Sequence, residues 1–355
     1  MTRARRNEQL MGIGGALAIA AGTLALARTL RARQTRMRFD GQSVLITGGT
    51  RGLGLLLAEE FGRAGARVSI CGRDEAAVDK ARLWLRAKSI DVLARACDLG
   101  DRDQAEQFVD EVALERGGID VLVNDAGVMQ VGPLETVTAE RVEEVMRSNF
   151  LSAAYVTLAA LPYLQSREGG PGRIANITSF AGRLAVPHML AYTASKHALL
   201  GFSEALRVEL GMAHDGVRVT TVVPGPMRTG SIYNAEFAGK QHQEFRWFAL
   251  AASLPIASID GRRAARRVVR GVADGASRVN LGATAWALEV GRRVAPDLMV
   301  RAMQLFGSFL PDGSGYRGEM ARGRDVAGKL ARSPQMKESN DIARRTNEPV
   351  PKGAI

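Results

Sequence analysis

Three polar side chains in the middle of the sequence have the types and spacing for proton transfer to a carbonyl oxygen. Tyr192 and Lys196 are four residues apart in the stretch YTASK, so on a helix both side chains lie on one face. A free phenol has a pKa of ~10, and a nearby cation stabilises its phenolate. Ser179 lies 13 residues before Tyr192, at the end of a predicted strand, where its hydroxyl could orient the carbonyl. These side chains could therefore act together as a general acid and base.

A glycine-rich stretch, ITGGTRGLG at residues 46–54, supplies a second pattern. Gly48, Gly52 and Gly54 follow an apolar run, so a strand should turn here sharply into a helix. Helix N–H groups and the positive end of the helix dipole would then face an anion. The G-x-x-x-G-x-G spacing differs from the G-x-G-x-x-G dinucleotide pattern, and no Lys-Ser/Thr pair follows it. A tight turn without a ligand is the alternative, but we predict that the loop binds a pyrophosphate.

The elements that must position these residues alternate between short apolar strands and helical segments. Short β-branched runs separated by helices predict a parallel sheet covered on both faces, which is a doubly wound α/β Rossmann-type fold. The predicted strands are 44–47, 68–71, 92–96, 121–124, 173–177, 218–223 and 278–281. The predicted helices are 53–64, 75–88, 102–115, 140–164, 191–210 and 261–272.

The net charge of +11 suggests nucleic-acid binding only until its distribution is considered. Residues 1–38 contain eight arginines and one acid, which leaves only +4 for the remainder of the chain. Basic residues there are not interleaved with aromatic ones, as binding to single strands would require. We therefore expect no nucleic-acid partner. The four histidines are scattered without metal-ligand spacing, so no metal is expected either.

The N-terminal segment, residues 1–38, contains the uncharged stretch Leu10–Ala27. Its 18 residues would form a helix of about 27 Å, just long enough for a hydrocarbon core. A membrane anchor is the favoured interpretation, and a cleaved signal peptide or a soluble helical extension remain alternatives. The arginines on both sides, five of which follow the stretch, predict a catalytic domain on the cytoplasmic side of the membrane. Without an anchor, we expect a cytoplasmic protein.

The sequence resembles the short-chain dehydrogenase/reductase family over about residues 39–283. The resemblance rests on TGGTRGLG (47–54), CDL (97–99), NDAG (124–127), Asn149, Ser179, YTASK (192–196) and PGPMRT (224–229), which occur in the family's order and spacing. It implies a Rossmann-type core and hydride transfer between a nicotinamide cofactor and a carbonyl or alcohol.

The resemblance also implies a role for each matching residue. Tyr192 would be the general acid and base, and Ser179 would orient the carbonyl. Lys196 would hold the nicotinamide ribose and lower the pKa of the tyrosine, while Asn149 would position a water that relays the proton. The implied cofactor contacts, besides Tyr192 and Lys196, are Gly48, Thr50, Arg51, Gly52, Leu53, Gly54, Asp98, Leu99, Asn124, Ala126, Gly127, Pro224, Gly225 and Thr229.

One residue departs from the family pattern, because Asp125 stands where Asn is usual. We expect this change to affect only local hydrogen bonding between strands, and not the cofactor site.

The residues after the second strand bear on the choice between NAD(H) and NADP(H). An acid at this point would bind the ribose 2′-hydroxyl of NAD, whereas arginine suits a 2′-phosphate. Gly72 occupies the position where such an acid is expected, Arg73 follows it, and Arg51 adds a cation nearby. Asp74 could partly neutralise this charge. We predict that NADP(H) is preferred.

The remaining sequence suggests a hydrophobic substrate. Residues 230–259, the family's substrate lid, and the apolar helical extension 284–310 are rich in large apolar side chains. These side chains could simply pack on the core or on a second subunit. They could also line a pocket for a lipid-like ketone, aldehyde or alcohol, which would suggest a role in lipid metabolism. Residues 311–355, rich in Gly, Pro and charge, predict a mobile tail.

Function therefore has one leading prediction and two alternatives. The leading prediction is an NADP-dependent reductase of a hydrophobic carbonyl, and the main alternative is a non-catalytic NADP(H)-binding regulatory or scaffold module. An epimerase or dehydratase of the extended branch of the same superfamily is disfavoured by the spacing of the glycine-rich loop. Intact Ser179, Tyr192, Lys196 and Asn149 favour the enzyme. Proteins of this family often form dimers or tetramers, so the resemblance also makes a homo-oligomer an expectation.

Overall fold

The structure is a computed structural model that describes residues 39–351 and 354, except 168–169, 214–215, 254–257, 315–317 and 334–335. The apolar stretch Leu10–Ala27 lies outside the described residues, so the predicted anchor stays a prediction. In the part of the chain that is described, no helix combines the length and the apolar character needed to cross a bilayer.

A seven-stranded parallel sheet forms the centre of the protein. Its strands are β1 (Ser43–Thr47), β2 (Arg67–Gly72), β3 (Val92–Ala96), β4 (Val121–Asn124), β6 (Arg173–Ile177), β7 (Arg218–Pro224) and β11 (Arg278–Leu281). They are arranged in the order β11-β7-β6-β4-β1-β2-β3. The order reverses between β1 and β4, and a ligand of such a sheet binds beside this point, at the carboxyl ends of the strands.

Small sheets and helices complete the architecture. The short strands are β5 (Gln130–Val131), β8 (Met227–Arg228), β9 (Glu236–Phe237), β10 (Ile259–Asp260) and β12 (Ala321–Arg322). The helices up to β11 are α1 (Gly52–Arg63), α2 (Glu75–Arg86), α3 (Arg102–Arg116), α4 (Ala139–Met146), α5 (Ser152–Gln165), α6 (Leu190–Met212), α7 (Gln241–Ser253) and α8 (Gly261–Asp274). After β11 come α9 (Ala283–Val294), α10 (Pro296–Gly307), α11 (Gly323–Val326) and α12 (Lys337–Arg345).

Two apolar clusters cover the two faces of the sheet. Side chains of α1, α2 and α8 pack on one face, and side chains of α3, α5 and α6 pack on the other. All five residues of β1 are buried, which explains why its middle three, Val44, Leu45 and Ile46, are continuously apolar rather than alternating. The predicted parallel Rossmann-type fold is confirmed, and every strand predicted for the central sheet is present.

The start of α2 and that of α8 are each fixed by an aspartate. The Asp74 carboxylate accepts a hydrogen bond from the N–H of Ala77, and that of Asp260 accepts one from the N–H of Arg263. Such caps satisfy donors that a helix otherwise leaves unpaired at its first turn. The start of α1 has no side-chain cap, and this difference matters for the site.

The long helix predicted at 140–164 is interrupted in its middle. A π-helical turn, Arg147–Leu151, joins α4 to α5. A π turn contains one residue more than an α turn and therefore changes the direction of the side chains that it carries. Asn149 is the buried residue of this turn.

The expectation of a mobile tail from residue 311 was wrong, because this region contains helices and buried side chains. Strand β12 pairs antiparallel with β9. Val326, Ala331, Met336 and Ala343 are buried against aromatic residues of the lid. The few apolar residues of this region pack on one cluster. The composition of the region, rich in Gly, Pro and charged residues, did not indicate this packing. We call residues 311–354 the C-terminal region, and its boundary with the catalytic domain stays a prediction.

Asn340 links this region to the lid and gives a test of its packing. The buried hydroxyl of Tyr233 donates to Asn340 Oδ1, and Asn340 Nδ2 donates to the carbonyl of Ala331 at 2.7 Å. Asn340→Ala would leave these buried groups unpaired, so we expect the free energy of unfolding to fall by about 1–3 kcal/mol. Chemical denaturation measures this loss, with the partly exposed neighbour in Asp341→Ala as control. Equal stabilities for both variants would contradict the packing of this region.

Candidate functional site

The turn between β1 and α1 forms the floor of a deep cleft. Gly48 has a φ of +67°, and a Cβ there would lie 2.8 Å from the Cα of Ala126, so only glycine fits. Arg51, the N-cap of α1, is extended and its side chain makes no capping hydrogen bond. An uncapped helix that begins at the carboxyl edge of a parallel sheet provides N–H groups and a dipole for an anion. The loop therefore suits the phosphates of a dinucleotide.

Asp125 closes the same turn from the side of β4. Its carboxylate accepts a hydrogen bond from the N–H of Gly54, in the first turn of α1. Removal from water raises the pKa of Asp125 to about 7, although nearby Lys196 opposes the shift. We expected the Asp125 side chain to affect only hydrogen bonds between strands. The structure corrects this expectation, because the side chain faces α1 and the cleft.

Asn124, the residue before Asp125, makes side-chain hydrogen bonds that link β4 to its neighbours. Its Nδ2 donates to Asn176 Oδ1 on β6 and to Thr157 Oγ1 on α5, both at 2.8 Å. The side chain is buried and is absent from the wall of the cleft. The expected contact of Asn124 with the adenosine ribose is therefore replaced by a role in holding β4 against β6.

Ser179, Tyr192 and Lys196 come together at the end of β6. The hydroxyls of Ser179 and Tyr192 are hydrogen-bonded to each other. Lys196 lies one turn further along α6, its Nζ 5.9 Å from the centroid of the tyrosine ring, and donates to the carbonyl of Ile177 at 3.0 Å. Ser179 and Lys196 are each 5% exposed, so little water competes for their polar atoms. The spacing of YTASK does place both side chains on one side of α6.

Burial is the largest influence on the pKa values of Lys196 and Tyr192. It lowers the pKa of Lys196 to about 8, and the neighbouring Asp125 partly opposes that shift. Burial also raises the pKa of Tyr192, against the hydrogen bond from Ser179, which lowers it. Burial of the phenolate is the largest cause of this shift, and the expected lowering of the tyrosine pKa by Lys196 stays a prediction.

Asn149 connects α6 to the loop after β4. Its Oδ1 accepts from the N–H of Val128 at 2.6 Å, and its Nδ2 donates to Val128 O and to Ser195 Oγ. Ser195 in turn donates to the carbonyl of Tyr192 at 2.8 Å. Asn149 is fully buried behind Gly127, so it braces the site, and the expected water relay remains a prediction.

One cavity of about 900 Å³ joins these parts. Of the residues predicted for the site, Gly54, Asn124 and Asn149 lie behind its wall. The predicted residues that line it are Gly48, Thr50, Arg51, Gly52, Leu53, Arg73, Asp98, Leu99, Ala126, Gly127, Ser179, Tyr192, Lys196, Pro224, Gly225 and Thr229. Asn234 and Glu348 also line it, although nothing in the sequence indicated them.

Large apolar side chains of the lid and the extension also line the cavity. They are Trp247, Phe248, Leu288, Met303, Phe306 and Leu310. Other lid residues, including Tyr233, Phe237 and Phe245, are fully buried in the cluster with the C-terminal region. Some apolar residues of the lid therefore pack in the protein interior, and others line the cavity. The sequence had left open which of these two roles they have, and the structure shows both.

The raised pKa of Asp125 predicts a pH dependence of stability. The folded state keeps this proton up to about pH 7, against 3.8 ordinarily. The contribution of the group is therefore complete below its ordinary pKa and is lost as the pH rises through 7. The wild type should lose stability relative to Asp125→Asn between pH 4 and 7, by at most about 1.4 kcal/mol per pH unit.

Denaturant unfolding at several pH values measures this difference. Asp79→Asn, on the surface of α2, is the control. Parallel pH profiles of the wild type and Asp125→Asn would contradict an uncharged Asp125 in the folded protein.

Comparison with known proteins agrees with this architecture. The family model described as short chain dehydrogenase matches residues 42–236. A Streptomyces coelicolor protein provisionally named a ketoacyl reductase is 36% identical over 190 residues, which are 54% of this chain and 72% of the relative. The Arabidopsis thaliana protein named 11-beta-hydroxysteroid dehydrogenase 1A is 33% identical over 238 residues, covering 65% of this chain and 66% of the relative.

A solved structure shows the same fold. The crystal structure of an actinorhodin polyketide ketoreductase variant with NADPH has a TM-score of 0.59 and 29% identity, and the match covers 69% of this chain and 96% of that one. The family match spans more than half of the chain, and the glycine-rich turn and YTASK lie within it. The chain belongs to the short-chain dehydrogenase family.

Proposed function

We propose that this oxidoreductase uses NADP(H) to reduce a hydrophobic ketone or aldehyde. One observation carries the proposal: a single cavity joins a phosphate-binding turn with two arginines to an apolar compartment, and Ser179 and Tyr192 line it between them. The cofactor supplies a hydride when bound, and the protein supplies position and a proton.

The preference for NADP(H) rests on the cavity wall at the end of β2. Gly72, Arg73 and Arg51 line it, and no acid occupies the position of Gly72. A Cβ at Gly72 would lie 2.8 Å from Thr50, so a larger residue does not fit there without movement. Asp74 caps α2 and lies 3.9 Å from Arg51, which leaves the guanidinium of Arg51 only loosely paired with it. A guanidinium binds a phosphate through two parallel hydrogen bonds. The solved relative with NADPH supports this choice.

The proposed proton transfer uses the hydrogen-bonded hydroxyls. Tyr192 donates its proton to the carbonyl oxygen as that oxygen becomes negative, and Ser179 donates a hydrogen bond that orients the carbonyl. Lys196 contributes a positive charge on the same side of α6 and holds the nicotinamide ribose. Its depressed pKa of about 8 lets it release and recover a proton near neutral pH, which suits a relay to solvent.

The substrate class rests on the apolar compartment beyond Tyr192. Trp247 and Phe248 of the lid and Met303 and Phe306 of the extension all line the cavity. Apolar side chains of this size favour a lipid-like substrate. The predicted N-terminal anchor and the name of the plant relative, a hydroxysteroid dehydrogenase, agree with this class.

The cofactor preference is tested by removing each arginine. Arg51→Ala and Arg73→Ala should each weaken NADPH binding about tenfold or more, because a charge-assisted hydrogen bond contributes about 1.5–3 kcal/mol. NADH binding should change little. Nicotinamide fluorescence titration gives both affinities, and Arg82→Ala, on the surface of α2, is the matched control. An equal loss for both cofactors would mean that the arginines do not contact a 2′-phosphate.

Catalysis and substrate class are tested together with a series of ketones of increasing chain length. We expect kcat/KM to rise about fourfold for each added methylene that is buried, since each contributes about 0.8 kcal/mol. Tyr192→Phe should lower kcat at least a hundredfold while leaving NADPH affinity within about twofold. A flat series would exclude the lipid-like substrate. Full turnover by Tyr192→Phe, or none by the wild type, would favour the binding module instead.

A further inference from the structure

The C-terminal region crosses the phosphate-binding turn after α12 ends at Arg345. The carbonyl of Thr346 accepts the N–H of Gly52 at 2.9 Å, and the Thr346 hydroxyl donates to the carbonyl of Thr229 at 2.8 Å. Asn347 Nδ2 donates to the carbonyl of Thr50 at 2.8 Å and to that of Ala77 at 3.1 Å. Residues 346–348, the crossing segment, thus bond to both sides of the cleft.

Glu348 brings a carboxyl group to the start of α1. Its Oε1 would lie 2.7 Å from a Cβ on Gly52, and among the described residues, apart from the chain around Gly52 itself, Glu348 alone comes within 4 Å of that point. Its Oε2 accepts from Asn234, whose Oδ1 accepts from Arg51 at 3.0 Å. Glu348 is only 6% exposed. The glycine that permits close approach of an anion is therefore already in contact with an acidic side chain of the same chain.

A dinucleotide needs the same space. Its pyrophosphate must approach the uncapped start of α1, where glycine leaves room, and the N–H of Gly52 is one of the donors there. In this structure the Thr346 carbonyl accepts that donor, and the carboxyl of Glu348 lies against Gly52. The Glu348 carboxyl and a pyrophosphate therefore cannot occupy this helix start at the same time.

We propose that the crossing segment is a built-in competitor of the cofactor, with the Glu348 carboxyl in the position of the pyrophosphate. The segment must withdraw before a dinucleotide binds. The inference rests on the proposed cofactor site but not on the choice between NADP(H) and NAD(H), because both cofactors contain the pyrophosphate.

Contacts on both sides of the crossing segment hold the C-terminal region. Upstream, Asn340 bonds with Tyr233 and Ala343 packs against Gly230, and downstream Val350 packs on the same cluster. Within the segment, the N–H of Glu348 donates to the carbonyl of Ala343 at 2.9 Å, so release of Glu348 breaks this bond but leaves the other contacts in place. Asn347 has a φ of +56°, a conformation that Asn adopts more readily than most residues. Rotation at residues 346–347 would therefore release Glu348 while α12 stays packed.

The surroundings of Glu348 set the pH dependence of this competition. Burial raises its pKa to about 8, Arg51 and the Asn234 hydrogen bond lower it, and the nearby Asp125 raises it. Asp74 lies beyond Arg51. Once displaced into water, Glu348 returns to its ordinary pKa, so cofactor binding below pH 8 releases this proton. Relative to Glu348→Gln, which stays uncharged, the wild type should bind cofactor more tightly as the pH rises to 8.

Titration of the full chain with NADPH and with NADH tests the proposal. We expect Glu348→Ala to bind both dinucleotides at least fivefold more tightly than the wild type. The affinity of the wild type relative to Glu348→Gln should rise steadily from about pH 5 to pH 8, by at most about tenfold per pH unit, and level off above pH 8. Asp341→Ala, which removes a partly exposed acid on α12, should change neither affinity. Weaker or unchanged binding by Glu348→Ala would overturn the competitor while leaving the proposed function intact.

Limited proteolysis of the wild type tests the proposal independently, because it does not depend on the folding of any variant. Trypsin cleaves after Arg344 and Arg345, which are exposed just before the crossing segment. Saturating NADPH should increase cleavage there at least threefold, because the segment is displaced. Protection by NADPH would overturn the proposal and make the segment a clamp on the bound cofactor. No binding of either dinucleotide by any variant would contradict the proposed function itself, and the inference with it.

Discussion

The uncapped start of α1 is the constraint on which the site depends. Helices elsewhere in the sheet layers, such as α2 and α8, begin with an aspartate that pairs with the first backbone donors. At α1 no side chain of the turn does so, and the donors point into the cleft. The protein places acceptors there from distant parts of the chain: Asp125 from the end of β4, and Thr346 from the end of α12. Residues remote in sequence thus meet at one helix end because its dipole and N–H groups require partners.

Several ionisable groups with shifted pKa values surround this helix end. Asp125 and Glu348 both retain protons to higher pH than usual, and Lys196 loses its proton at lower pH than usual. All three shifts have burial as their largest cause, so they reflect the depth of the cleft. A bound dinucleotide would bring further negative charge into this group, which couples cofactor occupancy to the protonation of the residues nearest the substrate.

Much of the fold could be predicted because its signals are local. The strands β1, β3, β4 and β6 differ from the predicted bounds by at most one residue, since short apolar runs buried on both faces have no other stable place. The relation between Tyr192 and Lys196 also followed from helical spacing. The C-terminal region could not be predicted, because its contacts depend on single residues such as Asn340 and Ala343 that match cavities in the lid. The side-chain directions of Asn124 and Asp125 likewise depend on whether β6 or α1 is the nearer neighbour, which sequence spacing does not encode.

The π turn at Arg147–Leu151 carries a consequence for how this chain could vary during evolution. A π turn is equivalent to an α-helix with one inserted residue, and each residue of an α-helix rotates the following side chains by about 100°. Deleting any one residue of the turn would restore a regular helix but turn either Asn149 or the buried face of α5 away from its partners. Substitutions can therefore accumulate in this helix, whereas single-residue insertions and deletions there should be rare. The hydrogen bonds that join α6 to the loop after β4 through Asn149 thus depend on the number of residues in this helix as much as on their types.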